Sequence, residues 1–224
     1  MGVVLLVRHG QASFGSADYD RLSATGRRQA DRLALRLGER HSGSGPASSP
    51  RAWQLVSGGL ARQRGTADPI AAAVRVPVQV DPLWNEYDHV AVTGERAGDL
   101  VVDPLDPSRG RDRAAEVLDE AVRQWAAGAA ASDESHAAFL RRCSAALGSV
   151  TGNPGTTVVV TSGGVIAAIC TALLDLPTTQ WPVLARVLVN TGITTIVAGR
   201  QGVSLVTVND HAHLERDREM ITYR

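Results

Sequence analysis

Arg8-His9-Gly10 directly follows the apolar run of residues 3–7, and this combination is the clearest chemical signal in the 224-residue chain. A short buried strand that ends in arginine and histidine places a positively charged side chain and a nucleophile at the carboxyl edge of a sheet. Open α/β folds bind their ligands at that edge. A tripeptide alone is a weak motif, so its meaning depends on what other segments bring to the same edge.

Two further segments bring polar residues and glycines to the ends of predicted strands. Residues 59–62 (Gly-Leu-Ala-Arg) open a helix, and residues 161–164 (Thr-Ser-Gly-Gly) span a later strand–helix turn. The first helix also begins in residues 22–30, a segment that contains Leu22-Ser23, Gly26 and Gln29-Ala30. Because these strand ends face one edge, the segments predict a single site assembled from distant parts of the sequence.

With these motifs the chain resembles the histidine phosphatase superfamily, whose fold is that of the phosphoglycerate mutases. The resemblance covers nearly the whole chain. It implies that His9 is the nucleophile and takes a phosphoryl group to form a phosphohistidine. It implies that Arg8 and Arg62 hold the phosphate, and that Glu86, which follows Leu-Trp-Asn, donates the proton.

The residue types suit these roles on physical grounds. A phosphate monoester is a dianion that resists nucleophilic attack, and planar guanidinium forks bind its oxygens in pairs. An imidazole nitrogen is largely neutral near pH 7 and attacks without a metal. A carboxyl group beside the scissile oxygen protonates the leaving alkoxide and then activates water.

Backbone N–H groups are expected to complete the anion site. The helix N-termini after Gly59 and Gly163 would direct free N–H groups toward the phosphate. We also expect Gly10, Gln11 and Ser162 to contact the phosphate. No metal ion and no cofactor are expected.

Several of these roles have alternatives in the sequence. Arg62 could be a solvated helix residue, with Arg64 as the weaker choice for phosphate binding. The proton donor has other candidates: Asp88, Asp99 and Asp103. His211 and His213 could form a metal pair, but no carboxylate or thiolate stands at a recognisable spacing, which favours a surface or packing role. The four tryptophans are expected to pack in the core.

Ser162 is where the chain departs from the family pattern, which has a second histidine in a Ser-His-Gly-Gly turn. A serine hydroxyl donates one hydrogen bond but carries no positive charge. Losing one oriented donor typically costs about 10²–10³ in rate, or roughly 3–4 kcal/mol. His89 and His136 are candidates to take the place of that histidine. Because such a loss slows a reaction rather than abolishing it, an enzyme is still expected.

The segment after the tripeptide bears on the substrate. Mutase relatives carry a Trp-Asn pair and a longer loop there, whereas this chain has Phe14-Gly15 and a short loop to Leu22. This favours a phosphatase acting on a small phosphorylated metabolite. Two alternatives remain: a pseudoenzyme that binds a phosphoryl ligand or a protein without turnover, and a phosphoglycerate mutase.

The elements that position these residues follow from hydrophobic periodicity and turn signals. We predict strands over residues 3–7, 52–56, 76–80 and 157–161, and a terminal hairpin of residues 193–198 and 203–208. Helices are predicted from a cap at Ser23 or Thr25 to about residue 40, over residues 60–73, 114–131, 134–150 and 165–174, and onward to about residue 189. Residues 42–50 are expected to form a loop, and residues 88–110 to be irregular.

Strands that alternate with helices favour an α/β fold, here a three-layer α/β/α sandwich with a mostly parallel central sheet. The length fits one domain, residues 1–224, with a helical insertion at about residues 88–150. This insertion shows no catalytic constellation, so we expect it to shape access to the site.

The composition limits the partners. Formal net charge is zero, with 23 basic and 23 acidic residues, which gives no support to nucleic acid or a membrane surface as a partner. Every basic residue is arginine, so Schiff-base and Walker-lysine chemistry are excluded.

Cys143 and Cys170 are expected to be buried free thiols. With neither a signal peptide nor a membrane span, a cytoplasmic location is expected. The oligomeric state stays open, with a dimer as one option.

Overall fold

The computed structural model describes residues 1–13, 20–43, 53–94, 107–128 and 132–223. Its strands are β1 (Gly2–Arg8), β2 (Trp53–Ser57), β3 (Val78–Val80), β4 (Gly155–Thr161), β5 (Ile193–Gly199) and β6 (Gly202–Asp210). Its helices are α1 (Ala24–Ser42), α2 (Ala61–Val74), α3 (His89–Thr93), α4 (Pro107–Ala126), α5 (His136–Thr151), α6 (Gly163–Leu173) and α7 (Trp181–Val187). Short 3₁₀ turns lie at Pro82–Trp84, Thr178–Gln180, Ala212–Leu214 and Arg218–Met220.

The six strands form one sheet in the order β3-β2-β4-β1-β5-β6. Strands β3, β2, β4 and β1 run parallel, while β5 is antiparallel to β1 and β6 to β5. The predicted α/β class, the mostly parallel sheet and the terminal hairpin are therefore confirmed. The carboxyl ends of β1, β2 and β4 lie at the same edge, which is the edge that the site residues require.

Alternation along β1 divides the core between the two faces of the sheet. Val4 and Leu6 belong to a cluster that includes residues of α5 and α6, whereas Leu5 and Val7 join residues of α1 and α2. Because successive side chains of a strand point to opposite faces, the sheet is covered by helices on both sides. This arrangement gives the three layers expected from the sequence.

Several predicted boundaries were wrong for local reasons. Residues 88–110 are not irregular throughout, because the Asp88 carboxylate accepts hydrogen bonds from Val90 and Ala91 and starts α3. The next helix begins at Pro107 rather than residue 114, and ends at Ala126. The segment predicted as one helix to residue 189 is a 3₁₀ turn followed by α7. The end of the predicted helix 114–131 and most of loop 42–50 lie outside the described residues.

The packing predictions hold. Trp84, Trp125 and Trp181 are almost fully buried, and Trp53 is also buried. Cys143 and Cys170 are buried and free, and burial raises the pKa of the Cys170 thiol to about 12. Ser23, rather than Thr25, caps α1 through a 2.9 Å bond from the N–H of Gly26. Among the described helices, none combines the length and apolar character that a membrane span requires.

Candidate active site

His9 lies immediately after β1 and is buried. Its backbone is fixed on both sides, because its N–H donates to the carbonyl oxygen of Thr161 at 2.9 Å and its own carbonyl accepts from Asn190 at 3.0 Å. On the ring, Nδ1 lies 2.7 Å from the carbonyl oxygen of Gly10. A carbonyl only accepts, so Nδ1 carries the hydrogen and Nε2 keeps the lone pair. Arg62 Nε donates to this Nε2 at 3.2 Å.

The electrostatic environment of His9 keeps its ring neutral. The pKa of His9 lies well below its ordinary value of 6.5, first because burial disfavours the imidazolium and then because Arg62 and Arg8 repel it. The hydrogen bond to Gly10 acts in the opposite direction and is the weaker influence. A neutral imidazole with an unprotonated Nε2 beside two arginines is suited to attack an anionic group.

Arg62 lies on the first turn of α2, and it is buried, whereas Arg64 is exposed. Besides its bond to His9, Arg62 donates from Nη1 to a carboxylate oxygen of Asp20 at 2.6 Å. The second oxygen of Asp20 accepts from the N–H of Ala61 at 2.7 Å. Asp20 was missed by sequence reasoning, since nothing in the sequence relates it to α2 across 42 positions.

Arg8 is the last residue of β1 and is held by the C-terminal part of the chain. Its Nη1 donates to the carbonyl oxygens of Leu188 and Tyr223. Its Nε lies against the start of α6, where a Cβ atom on Gly163 would come within 3.4 Å of it.

Glu86 follows the 3₁₀ turn after β3 and reaches the start of α6. Its carboxylate accepts from the N–H of Gly164 at 2.9 Å and from that of Tyr87 at 3.3 Å. Burial raises the pKa of Glu86 from its ordinary value of 4.5. The bond from Gly164 and the charges of Arg62 and Arg8 oppose this rise. The same two arginines act on His9, so the two titratable groups share one electrostatic environment.

The segment before Glu86 is fixed by Arg142 of α5. Arg142 Nη1 donates to the carbonyl oxygens of Leu83 at 2.9 Å and Asn85 at 2.7 Å. A bidentate ion pair with Glu134, at 2.8 and 2.7 Å, holds the guanidinium in place. Helix α5 thus helps to position the segment that carries Glu86. Sequence reasoning missed Arg142, although an arginine between Phe139 and Cys143 on a largely apolar helix face was a usable signal.

Ser162 is fully buried at the end of β4 and is contacted by Gln63 of α2. Gln63 Nε2 donates to Ser162 Oγ at 2.9 Å and to the carbonyl oxygen of Trp84 at 3.0 Å. Gln63 is itself fully buried. It too was missed from the sequence. The signal was its place on the same face of α2 as Thr66, Ala67 and Ile70, where a buried amide needs partners.

The helix N-termini are occupied differently from what was predicted. At the start of α2, the N–H groups of Gly59, Leu60 and Ala61 donate to protein side chains, so they are not free to face an anion. At the start of α6, the N–H of Gly164 binds Glu86. The prediction of two open helix N-termini was therefore wrong at α2, where side chains already satisfy the donors.

Gly10 and Gln11 pack against the first two helices. The N–H of Gly10 donates to Thr66 Oγ1 at 2.9 Å, and a Cβ atom on Gly10 would lie 2.5 Å from the carbonyl oxygen of Gly26. The N–H of Gln11 donates to Gln29 at 2.8 Å. The glycine after His9 is thus required for close approach to α1. Contact of these two residues with phosphate stays a prediction.

The other histidines have different surroundings. His89 on α3 is half-buried, and the charge of Arg62 is the second cause, after burial, of its lowered pKa, which places His89 within electrostatic reach of the site. The ring of His136 packs 5.1 Å from those of both Trp125 and Trp181. His211 and His213 bond to Asn209 and Thr191.

Among the described residues, no group of three or more histidine, cysteine or acidic side chains could hold a metal ion. Asp88 is exposed and caps α3. The remaining acid candidates, Asp99 and Asp103, and the Phe14-Gly15 pair lie outside the described residues.

The family model of the histidine phosphatase superfamily (branch 1) matches residues 4–211. Among curated protein sequences, none gives a significant match. Solved structures with the same fold include a mutant phosphoserine phosphatase from Entamoeba histolytica in complex with phosphoserine. That structure has 20% sequence identity and a TM-score of 0.68, and the alignment covers 96% of this chain and 100% of that one.

Two further structures are similar. A putative alpha-ribazole-5'-P phosphatase from Escherichia coli has 19% identity and a TM-score of 0.66, with 93% of this chain and 96% of that one covered. A mycobacterial glucosyl-3-phosphoglycerate phosphatase in complex with inorganic phosphate has 25% identity and a TM-score of 0.63, with 94% and 98% covered. All three neighbours are described as phosphatases.

Proposed function

Because this chain belongs to the histidine phosphatase superfamily, we propose that it hydrolyses a small phosphomonoester through a phosphohistidine on His9. The observation that carries the proposal is the buried, neutral ring of His9, whose Nε2 lone pair faces Arg62 at 3.2 Å. An unprotonated nitrogen beside a guanidinium is what attack on a phosphate dianion requires. The binding of phosphoserine by a structural neighbour supports a small phosphorylated metabolite as the substrate.

In the first step, a phosphoryl oxygen replaces His9 as the partner of Arg62 Nε. The Nε2 lone pair then forms a bond to phosphorus while the ester P–O bond breaks. The electron pair of that bond goes to the leaving oxygen, which takes the proton of Glu86. The raised pKa of Glu86 favours its protonated form, and the hydrogen bond from Nδ1 to Gly10 fixes the orientation of the ring.

In the second step, water attacks the phosphorus of the phosphohistidine. Glu86, now a carboxylate, accepts a proton from this water as the N–P bond breaks, and the bonding electrons return to Nε2. Inorganic phosphate leaves, and both groups recover their starting states. Arg8 and Arg62 balance the negative charge of the phosphoryl group throughout, and Ser162 and the start of α6 at Gly163 lie beside it as neutral donors.

No metal or cofactor takes part in these steps. We also propose a cytoplasmic location, because two buried cysteines, Cys143 and Cys170, are unpaired. Free thiols of this kind are typical of a reducing compartment.

The test is hydrolysis of p-nitrophenyl phosphate by the wild type and by His9→Ala, in the presence of a chelator. We expect slow turnover by the wild type that His9→Ala reduces by at least about 10³-fold. His41→Ala is the matched control, because His41 packs against Trp53 on the far end of β2 and should leave the rate unchanged.

A rapid quench with radiolabelled substrate should also trap an acid-labile, base-stable adduct on Nε2 of His9. Equal turnover by the wild type and His9→Ala would exclude the mechanism. Binding of vanadate without any turnover would instead support a phosphoryl-binding pseudoenzyme.

A further inference from the structure

Ser162 stands next to the nucleophile across the sheet. β1 and β4 are parallel with Arg8 opposite Thr161 at their ends, so His9 and Ser162 are the next residue after each strand, and the N–H of His9 still bonds to the carbonyl oxygen of Thr161 at 2.9 Å. Neighbouring strands lie about 4.8 Å apart, and residues at one level point to the same face. Both side chains accordingly meet consecutive residues of α2, since His9 contacts Arg62 and Ser162 contacts Gln63.

The contacts of Gln63 fix the orientation of its amide group. Its Oε1 accepts from the N–H of Leu60 at 3.2 Å, which assigns the other end of the amide as the donor. The two hydrogens of Nε2 are then directed at Ser162 Oγ and at the carbonyl oxygen of Trp84. That carbonyl also accepts from Thr161 Oγ1 at 2.6 Å.

This orientation determines what the Ser162 hydroxyl can do. A hydroxyl has one hydrogen to donate, and here its oxygen already accepts from Gln63. Within the described part of the chain, this is the one hydrogen bond that Ser162 Oγ makes. The hydroxyl hydrogen is therefore available to a phosphoryl oxygen on the neighbouring His9. A bond accepted from an amide also strengthens the hydroxyl as a donor, because hydrogen bonds in a chain polarise one another.

Gln63 also fills the space beside Ser162. Both residues have no exposed surface. The other side of the amide is tightly packed as well, because a Cβ atom on Gly58 would collide with Gln63 Oε1. A larger side chain at position 162 therefore needs the volume that Gln63 occupies, since protein interiors have little spare space.

We infer that Gln63 and Ser162 form a single functional unit, in which Ser162 is a catalytic donor to the phosphoryl group and Gln63 is the residue that positions it. The inference rests on the proposed function and names how this site supplies a donor where the family pattern has a histidine. One consequence is that Ser162→His, made alone, meets the Gln63 amide and lowers the rate. The same change made together with Gln63→Ala has room for the imidazole.

Two single variants separate orientation from volume. Ser162→Ala removes the donor and should lower kcat by about 10², with KM changed less. Gln63→Met keeps the volume but removes the amide, so the hydroxyl is free to turn away, and we expect kcat to fall by about tenfold. Gln54→Met is the matched control. Gln54 accepts a 2.8 Å bond from Asn153 near the opposite edge of the sheet, and its loss should leave kcat unchanged.

The decisive experiment compares Ser162→His with the double variant Gln63→Ala/Ser162→His, using p-nitrophenyl phosphate turnover and vanadate affinity. We expect the double variant to be at least about tenfold faster than Ser162→His and to bind vanadate more tightly. The double variant should also unfold at a higher temperature than Ser162→His, because the introduced imidazole no longer collides with the Gln63 amide.

Equal rates and equal vanadate affinity for the two folded proteins would overturn the inference, as would an unchanged kcat in Gln63→Met. The proposed function fails separately, if His9→Ala retains wild-type turnover. If the wild type has no turnover at all, vanadate affinity across the same variants still decides whether the pair acts together.

Discussion

The nucleophile side and the acid side of the site are built in different ways. His9 comes from the end of a central strand and meets Arg62 on the first turn of a packed helix, so regular structure fixes both groups. Glu86 lies on an irregular segment after β3, and its approach is set by bonds from Arg142 to that segment. The proposed general acid, on a loop, therefore depends on support from a distant helix, whereas the proposed nucleophile depends on strand register.

Burial acts on the two sides with opposite results. It lowers the pKa of His9 and raises that of Glu86, because each charged form loses hydration. The two arginines reinforce the shift at His9 but oppose it at Glu86, where burial is the stronger effect. Both shifts favour the neutral forms, which are the forms that a nucleophile and a proton donor need before attack.

The largest effect specific to the acid side is expected from Glu86→Gln. This change keeps the shape but removes the proton, so kcat/KM for an alkyl phosphate, which reports formation of the phosphohistidine, should fall by about 10²–10⁴. The loss should be much smaller for p-nitrophenyl phosphate, because that leaving group departs without protonation. Steady-state kinetics on both substrates provides the measurement, with exposed Glu215 as the control position (Glu215→Gln). Equal losses of kcat/KM on the two substrates would mean that Glu86 is not the proton donor to the leaving group.

The pH dependence should separate the two sides. His9 must be neutral to attack, so kcat/KM should rise as pH increases through the pKa of His9. That rise should lie below pH 6.5, because the pKa of His9 is lowered from this ordinary value. Glu86 must be protonated, so kcat/KM for an alkyl phosphate falls as pH rises through a limb above pH 4.5, the value from which Glu86 is raised.

Ionisation of the substrate also changes kcat/KM with pH. Dividing the wild-type kcat/KM by that of Glu86→Gln removes this contribution. The ratio of wild-type to Glu86→Gln kcat/KM should be constant at low pH and fall by about tenfold per pH unit above the pKa of Glu86. A ratio that stays flat across the whole range would show that the ionisation of Glu86 does not limit the reaction.

Arg142→Met should have the next largest effect, because it releases the carbonyl oxygens of Leu83 and Asn85 and leaves Glu134 unpaired. A displacement of about 1 Å in a catalytic group can cost about 10² in rate, so we expect kcat for an alkyl phosphate to fall ten- to a hundredfold. KM should change less, since the phosphate ligands are on the other side.

Two controls distinguish positioning from a general loss of stability. Arg123→Met removes an exposed ion pair with Glu120 on α4 and should leave kcat unchanged. Arg142→Lys retains a donor for the carbonyls and should recover part of the rate. If Arg142→Met lowers kcat/KM equally for alkyl and aryl phosphates, its effect does not act through proton donation by Glu86.

The difference between groups that strands and helices position and groups that single side-chain contacts position also explains which residues could be predicted from the sequence. Strand ends and helix starts are visible as apolar runs followed by polar residues, so the sheet, His9 and Arg62 could be placed from the pattern alone. Contacts of single side chains with a distant backbone are not encoded in any local pattern. The bond from Arg142 to Asn85 spans 57 positions, and that from Gln63 to Ser162 spans 99. Each of these residues was visible only as a polar group on an apolar helix face.

The smallest effect is expected on the nucleophile side, at Asp20. Its carboxylate binds Arg62 Nη1 at 2.6 Å, and the guanidinium that should hold phosphate is therefore partly neutralised. Asp20 is a third exposed, so the pair contributes roughly 1 kcal/mol or less. Asp20→Asn keeps the bond to the N–H of Ala61 but removes the charge. The KM for p-nitrophenyl phosphate should fall two- to fivefold, with kcat almost unchanged.

Inhibition by inorganic phosphate should tighten by the same factor, and the difference from the wild type should shrink at high salt, because a partly exposed charge is screened by salt. A rise in KM would give Asp20 the opposite role. It would then be needed to orient Arg62, and the nucleophile side, like the acid side, would depend on a residue from outside its strand and helix.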